Sequence, residues 1–382
     1  MTKPAFAHLL NVEDVRRAAK RRLPHGLFEY IDRGSEDELS ISGNRQQLDA
    51  IRLAPSVLVD VSQRSLKAEI LGHSQPLPLV IAPTAMAGLV WHDGEIALAK
   101  AAARAGIPFC VSTQSITLVE RIAAESGAKL WFQLYVWKNR QRTLALIDRA
   151  WAAGAETLVL TVDTAVGPNR EYNLRNGFGI PLKASARAGI DLMLHPRWTA
   201  SVMLRSLLAS GVPTYAHYPE EFRTKLGRSS LSDELNLATD VTWDDVRLLR
   251  QRWKGKLILK GILRVDDALT ALSRGVDAIV VSNHGARNLD CAPGPIEVLP
   301  AIVAAIGGRM EILADSGVRR GADIARFLAL GASGVLIGRA TLYGVAIGGA
   351  DGAGRVLDLL THELNVTMGM LGARNLADLR RC

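Results

Sequence analysis

Eight short, unbroken apolar runs punctuate the chain: Leu79–Pro83, Pro108–Ser112, Leu130–Val136, Thr157–Asp163, Leu257–Gly261, Ala278–Ser282, Glu311–Asp315 and Gly334–Gly338. A strand reads as a continuous apolar run, rather than an alternating one, when both of its faces are covered. Amphipathic stretches follow most of the runs, at Gly94–Gly106, Arg140–Gly154, Val265–Gly275 and Arg320–Gly331, with a long last one at Gly354–Gly372. Alternation repeated this often predicts right-handed parallel crossovers, and eight units predict a closed (β/α)8 TIM barrel. An open doubly wound sheet alternates as well, but it carries a Gly-rich turn after its first strand. Here the first run ends in Ala82-Pro83-Thr84-Ala85, with no glycine cluster. The one Gly-rich tract, Gly348–Gly354, follows the last strand and reads as a loop between helices.

Two regions fall outside the repeat. Residues 1–75 form an N-terminal helical extension, with a helix at Val12–Arg22 and a second around Gly26–Arg33. Roughly ninety residues separate the fourth run from the fifth, far more than a usual connection. This insertion, about 184–235, contains Ala184–His217, where Leu, Met and Trp mix with Arg and His. The segment is too polar to span a bilayer; it reads either as an interfacial amphipathic stretch or as a lid or subunit contact. Residues 1–382 are expected to form one domain, since such barrels reach this length undivided.

Composition narrows the partners. Lys and Arg exceed Asp and Glu by 46 − 38 = +8, which suits nucleic acid, an anionic surface or acidic small molecules. No basic run interleaved with aromatics and no zinc-finger spacing is present, so nucleic acid is the weakest of these. Cys110, Cys291 and Cys382 are scattered and odd in number, so neither a disulfide framework nor a cysteine metal site is expected. The first residues lack the apolar core of a secretion signal, and no stretch has the length of a transmembrane helix. A cytoplasmic location is expected, peripheral on the inner face of the cell membrane if the insertion is interfacial.

Barrel active sites form at the C-terminal ends of the strands. Every run here ends on polar or charged residues: Pro83-Thr84-Ala85; Ser112; Gln133 and Tyr135; Thr161 and Asp163, then Arg170; Lys260; Ser282, His284 and Arg287; Asp315, Gly317 and Arg319; Gly338-Arg339. Gly and Arg after the last two strands fit a phosphate, which takes backbone N–H groups and a bidentate guanidinium; helix caps with solvated arginines are the plainer reading. Lys260 ends an apolar strand and needs a counter-charge there. It serves either as a Schiff-base lysine or as a fixed cation beside an electron-accepting ring, and the uncharged donors Ser112, Gln133 and Thr161 favour the ring. His284 is a candidate base, with Asp163 to raise its basicity and orient it. Arg170 and Arg287 are placed to clamp a carboxylate.

The segment Ser282-Asn283-His284-Gly285-Ala286-Arg287-Asn288-Leu289-Asp290 resembles the signature of the FMN-dependent L-2-hydroxy acid oxidases and dehydrogenases, with Ala286 for Gly and Asn288 for Gln. The likeness runs from Val12 to about Leu379. It implies FMN as cofactor, a small 2-hydroxy acid as substrate, a quinone-like acceptor or O2, and a homotetramer. It implies that His284 is the base and Asp163 stabilises its imidazolium. Tyr30, Arg170 and Arg287 bind the substrate carboxylate, and Tyr135 faces the substrate hydroxyl. Lys260 lies near flavin N1, and Pro83, Thr84, Ala85, Ser112, Gln133, Thr161 and Ser282 hold the ring and ribityl. Asp315 binds the ribityl, while Gly317, Arg319, Gly338 and Arg339 hold the phosphate. The stretches Arg170–Pro181 and Leu194–Trp198 are most similar to the family members that oxidise (S)-mandelate; the lactate-oxidising members share several of these features. Mandelate-type members use the long connection for membrane association. They carry Gly where Ala85 stands, whereas Ala is usual in the oxidases and is also found in flavocytochrome b2, so Ala85 fits either type of acceptor. Outside the family, a type 2 isopentenyl diphosphate isomerase, a Schiff-base aldolase and a non-catalytic binding barrel are the competing readings.

Overall fold

The computed structural model describes residues 6–178, 186–219 and 236–382. Eight parallel strands close into a barrel: β1 Leu79–Ile81, β2 Phe109–Ser112, β3 Leu130–Leu134, β4 Thr157–Thr161, β5 Lys256–Ile262, β6 Ala278–Val281, β7 Glu311–Ala314 and β8 Gly334–Ile337. Each pairs with its sequence neighbours and β8 closes on β1, with Leu336 opposite Val80. Most strands stop one or two residues before the predicted ends. Pro83, Asp163, Ser282, Asp315 and Gly338 lie just past the ladder.

Two cores result from the strands being covered on both faces. Val80, Cys110, Trp131, Val159, Ile258, Val280, Leu313 and Leu336 fill the barrel interior. Its N-terminal end is plugged by a hairpin, Ala68–Ile70 paired antiparallel with His73–Gln75, whose Ile70 and Leu71 join that cluster. The alternate strand residues, such as Leu79, Ile81, Phe132, Leu158 and Leu259, face the helices in the larger outer core.

The predicted last helix is longer than its pattern suggested. A helix runs over Arg339–Leu371, kinked where Gly348 and Gly349 leave helical geometry. Only two residues of the expected Gly348–Gly354 loop break the helix. Phe6 and Trp91 pack where Cβ atoms at Gly348 and Gly349 would sit. The extension also holds a third helix, Leu39–Ala50, beyond the two that the sequence predicts. It has weak amphipathy, and its first N–H groups are satisfied from afar, Leu39 and Ser40 donating to the Asp290 carboxylate at 3.1 and 3.0 Å.

Within the insertion, helical segments cover Ala186–Leu194, Pro196–Trp198 and Arg205–Ser210, with a π-helical turn at Thr199–Leu204 between the last two. Residues 184–185 and 220–235 of the expected insertion lie outside the described residues. The segment is tied back to the barrel by buried polar contacts. His217 accepts from Val119 N through Nε2 at 3.0 Å and reaches the Thr113 carbonyl at 3.2 Å. Trp198 Nε1 donates to Leu89 O at 3.0 Å. Its outer side leaves Ile190, Met193, Leu194, Leu204, Leu207, Leu208 and Val212 exposed. Among the described residues no helix is long and apolar enough to cross a membrane.

Candidate active site

After β6 the chain makes a turn in which three successive residues, His284, Gly285 and Ala286, have φ of 58°, 64° and 62°. Left-handed backbone costs a non-glycine residue roughly 1 kcal/mol or more, so the turn needs support. Ser282 Oγ accepts from His284 N at 3.0 Å, and Asn283 Oδ1 from Ala286 N at 3.1 Å. Asn283 and Asn44 exchange amide hydrogen bonds at 3.1 and 2.8 Å. Ser316 Oγ accepts from Gly285 N at 3.0 Å, and Ser35 N donates to Ala286 O at 3.1 Å. Much of the signature segment thus builds the turn that presents His284.

His284 Nδ1 lies 2.8 Å from Asp163 Oδ1. With Nδ1–H donated to the carboxylate, Nε2 keeps its lone pair. Burial would raise the Asp163 carboxyl, but the adjacent imidazole and Lys260 outweigh it and hold the group below the usual carboxylate range. Burial also pushes the His284 imidazole down; Asp163 opposes this, while Lys260 and Arg170 add to it. The expected increase in basicity is therefore present but outweighed, and His284 is neutral near pH 7.

Lys260 is buried, donates to Ser282 Oγ at 2.8 Å and pairs with Asp315 Oδ2 at 3.1 Å. Burial lowers its pKa, but Asp315 and Asp163 more than reverse this, so the lysine stays charged. The counter-charge that the sequence demanded is thus Asp315. Ser282, expected to touch a cofactor, is fully buried. It supports Lys260 and the His284 backbone from below and is not among the residues lining the cavity.

Four arginines around the same cavity have no carboxylate partner among the described residues: Arg170, Arg287, Arg319 and Arg339. Arg170 Nε donates to Arg287 O at 3.1 Å, and Arg287 Nη1 to Arg33 O at 3.0 Å, with its guanidinium 5.1 Å from the Tyr30 ring centre. Arg339 donates to the carbonyls of Ile31 and Arg33 at 3.1 and 3.2 Å. Burial, then the neighbouring Arg287, lowers both Arg170 and Arg339 to about 10. Cations held by neutral carbonyls and crowded against one another form an anion site.

The cavity at the strand ends is lined by Tyr30, Pro83, Thr84, Ala85, Ser112, Gln133, Tyr135, Thr161, Arg170, Lys260, His284, Arg287, Asp315, Gly317, Arg319, Gly338 and Arg339. Asp163 sits behind His284, outside this lining. Ser316 and Gln114, which ends the second run in the segment Ser112-Thr113-Gln114, also line it, and the sequence assigns neither a role. Both adjoin predicted residues, but neither stands out by type. Ser112 Oγ donates to Gln133 Oε1 and Gln133 Nε2 to Thr161 Oγ1, each at 3.1 Å, which fixes the amide for a ligand. Two features fit FMN. Thr84 Oγ1 is buried with no partner among the described residues. A Cβ at Gly338 would meet nothing closer than 3.7 Å, so the backbone there has open room in which a phosphate could approach. Among the described residues no cluster of His, Cys, Asp and Glu could hold a metal.

Fold and site together define a barrel enzyme whose cationic mouth suits an anionic, phosphate-bearing cofactor beside an Asp–His pair. The chain belongs to the FMN-dependent dehydrogenase family, matching it over residues 19–382, and its cofactor is FMN. It is 41% identical to (S)-mandelate dehydrogenase of Pseudomonas putida, over 97% of this chain and 93% of that protein. It is 42% identical to a putative L-lactate dehydrogenase of Mycobacterium tuberculosis, over 99% and 89%. Among solved structures, the monotopic membrane protein (S)-mandelate dehydrogenase superimposes with a TM-score of 0.92, at 41% identity and 97% coverage of both chains. A mandelate oxidase variant with (S)-mandelic acid gives 0.82, at 35% identity and the same coverage.

Proposed function

We propose that the protein oxidises an L-2-hydroxy acid, (S)-mandelate or a related aromatic acid, to the 2-oxo acid. The observation that carries this reading is His284, hydrogen-bonded to Asp163, beside arginines that lack carboxylate partners among the described residues. FMN, when bound, supplies the acceptor for the substrate's two electrons. Thr84, Ala85, Ser112, Gln133, Thr161 and Lys260 would hold its ring, Asp315 the ribityl, and Gly317, Arg319, Gly338 and Arg339 the phosphate. Pro83 shapes the wall beside them.

Arg170, Arg287 and Tyr30 bind the substrate carboxylate and so orient the carbinol carbon. His284 Nε2 takes a proton from the substrate, and Asp163 stabilises the resulting imidazolium. Tyr135, whose hydroxyl burial pushes up to about 12, stays protonated and donates toward the substrate oxygen. Phe178 packs on Tyr30 with ring centres 5.4 Å apart, an aromatic neighbour that favours an aromatic acid. L-Lactate is the second reading, favoured by the 42% identity to the putative L-lactate dehydrogenase.

The final electron acceptor would be quinone-like, with O2 as the alternative. The exposed apolar residues from Ile190 to Val212 rest on the inner face of the cell membrane, in keeping with the description of one relative as a monotopic membrane protein. The working unit is one domain, residues 1–382, assembled as a homotetramer.

Anaerobic mixing of the FMN-loaded protein with (S)-mandelate, L-lactate and glycolate tests the activity. Bleaching is expected fastest with (S)-mandelate; no bleaching with any of the three refutes the reading and favours a non-redox flavin barrel. Slow reoxidation in air, but fast reoxidation by a quinone, is expected of a dehydrogenase. Co-sedimentation with vesicles, lost in a Leu208→Asp, Met193→Asp variant, tests the membrane contact. Light scattering of the purified protein tests the tetramer.

A further inference from the structure

We propose that Asn288 is a positioning residue whose side-chain amide, acting with Thr164, holds the Asp163 carboxylate against His284 Nδ1. The proposal rests on the reading of His284 as the base.

Asn288 lies four residues beyond His284, and the left-handed turn between them brings both side chains to Asp163. Asn288 Nδ2 donates to the Asp163 carbonyl oxygen and to Thr164 Oγ1, each at 2.8 Å, and lies 3.4 Å from Asp163 Oδ1. Thr164 Oγ1 in turn donates to Asp163 Oδ1 at 3.2 Å. One amide therefore grips the backbone of Asp163 and, through a hydroxyl, the same carboxylate oxygen that His284 uses.

The opposite side is closed by β5, whose register shifts between Lys260 and Ile262. At Gly261, φ is +111° and a Cβ would fall 2.6 Å from the Asp163 Cβ and Cγ. Asp163 is thus wedged between a bare backbone and the Asn288 amide. Asn288 Oδ1, by contrast, is buried without a partner among the described residues. A side chain kept only for structure would shed that penalty by being apolar; the donor is what this position retains. The related motif has glutamine here, which keeps the same amide on a longer stem.

The groups facing His284 are Asp163 just past β4, Lys260 on β5 and Arg170 from the loop that follows β4. Only Asp163 favours the imidazolium. A carboxylate freed to swing would leave the two cations and burial less opposed.

The test is a titration of His284 by NMR in FMN-loaded protein carrying 13C-histidine, with His284→Asn to assign the signal. Anaerobic FMN reduction is followed alongside. In Asn288→Ala, His284 is expected to titrate at least half a pH unit lower than in the parent, with reduction slowed about tenfold. Asn288→Gln should restore both to within about twofold. In an Asp163→Asn background, Asn288→Ala should change reduction less than about twofold, because its partner is gone. Thr164→Val, which removes the relay hydroxyl at nearly constant shape, should shift the titration in the same direction and covers the case in which Asn288→Ala does not fold. An unchanged titration in a folded Asn288→Ala or Thr164→Val protein, or an equal loss with and without the Asp163 carboxylate, overturns the proposal. If no hydroxy acid reduces the parent enzyme, the reading of function fails, while the titration still reports on Asn288.

Discussion

Arg287 and Arg339 donate to the same backbone oxygen, the carbonyl of Arg33, at 3.0 and 3.2 Å. The end of one helix in the N-terminal extension, His25–Asp32, thereby sets the position of a proposed substrate arginine and of a proposed phosphate arginine. A neutral carbonyl orients these cations without cancelling their charge.

Arg339→Met should therefore weaken FMN binding about 10- to 100-fold, the scale of one or two lost charge-assisted hydrogen bonds. Recovery of free-flavin fluorescence on dilution measures it. An unchanged affinity removes Arg339 from the phosphate site.

His284→Asn should retain FMN yet slow its reduction by substrate by about 10²- to 10⁴-fold, the range of general-base contributions. Burial lowers the His284 pKa, so the base is free above that value and is lost as pH falls through it. The acid limb of kcat/KM is expected below the ordinary histidine value of 6.5. A limb above that value contradicts the assignment.

Tyr135→Phe should lower the reduction rate about tenfold, as expected for loss of one hydrogen bond to a developing charge. Because burial holds this hydroxyl at about 12, it adds no basic limb below pH 10. Stopped-flow profiles of the parent and the variant should differ in height rather than shape on the basic side.

Gly261→Ala places a methyl group 2.6 Å from Asp163 at φ +111°. A stability loss of about 1–3 kcal/mol is expected from the strained backbone alone. The reduction rate should fall as well, because Asp163 must move. Thermal melting and anaerobic reduction, read on the same sample, separate the two effects.

Asp32 accepts from Arg16 Nε and Nη2 at 2.6 Å each, and from the Tyr343 hydroxyl at 2.6 Å. Burial would raise its pKa, but these partners lower it below 3.8. The stabilisation is complete above the unfolded value and is lost as pH falls through the folded one, so it disappears only in strong acid. Asp32→Asn should cost about 2 kcal/mol at pH 7, discounted from a fully buried pair because Arg16 is part-exposed. The loss should vanish at the acid extreme, where denaturant titrations of the two proteins should converge.

The barrel and most of the candidate site are legible along the chain, because a buried parallel strand must be apolar and its end must carry the polar groups. The unbroken runs locate the strands, and the residues after them, from Thr84 to Arg339, are the ones that line the cavity. The amphipathic helices are legible for the same reason: one face must meet the strands.

What tertiary structure alone decides is how distant residues hold one another. The helix Leu39–Ala50 owes its start to Asp290, roughly 250 residues away, a contact invisible to local periodicity. The need of Lys260 for a partner is plain from its apolar strand, but the choice of Asp315, on the far side of β6, belongs to barrel closure. For His284, the sign of its pKa shift depends on burial against charge, two effects fixed only in three dimensions. Asn288 is an unremarkable amide in the chain. It becomes a support for Asp163 only because β4 and the turn after β6 meet at the mouth of the barrel.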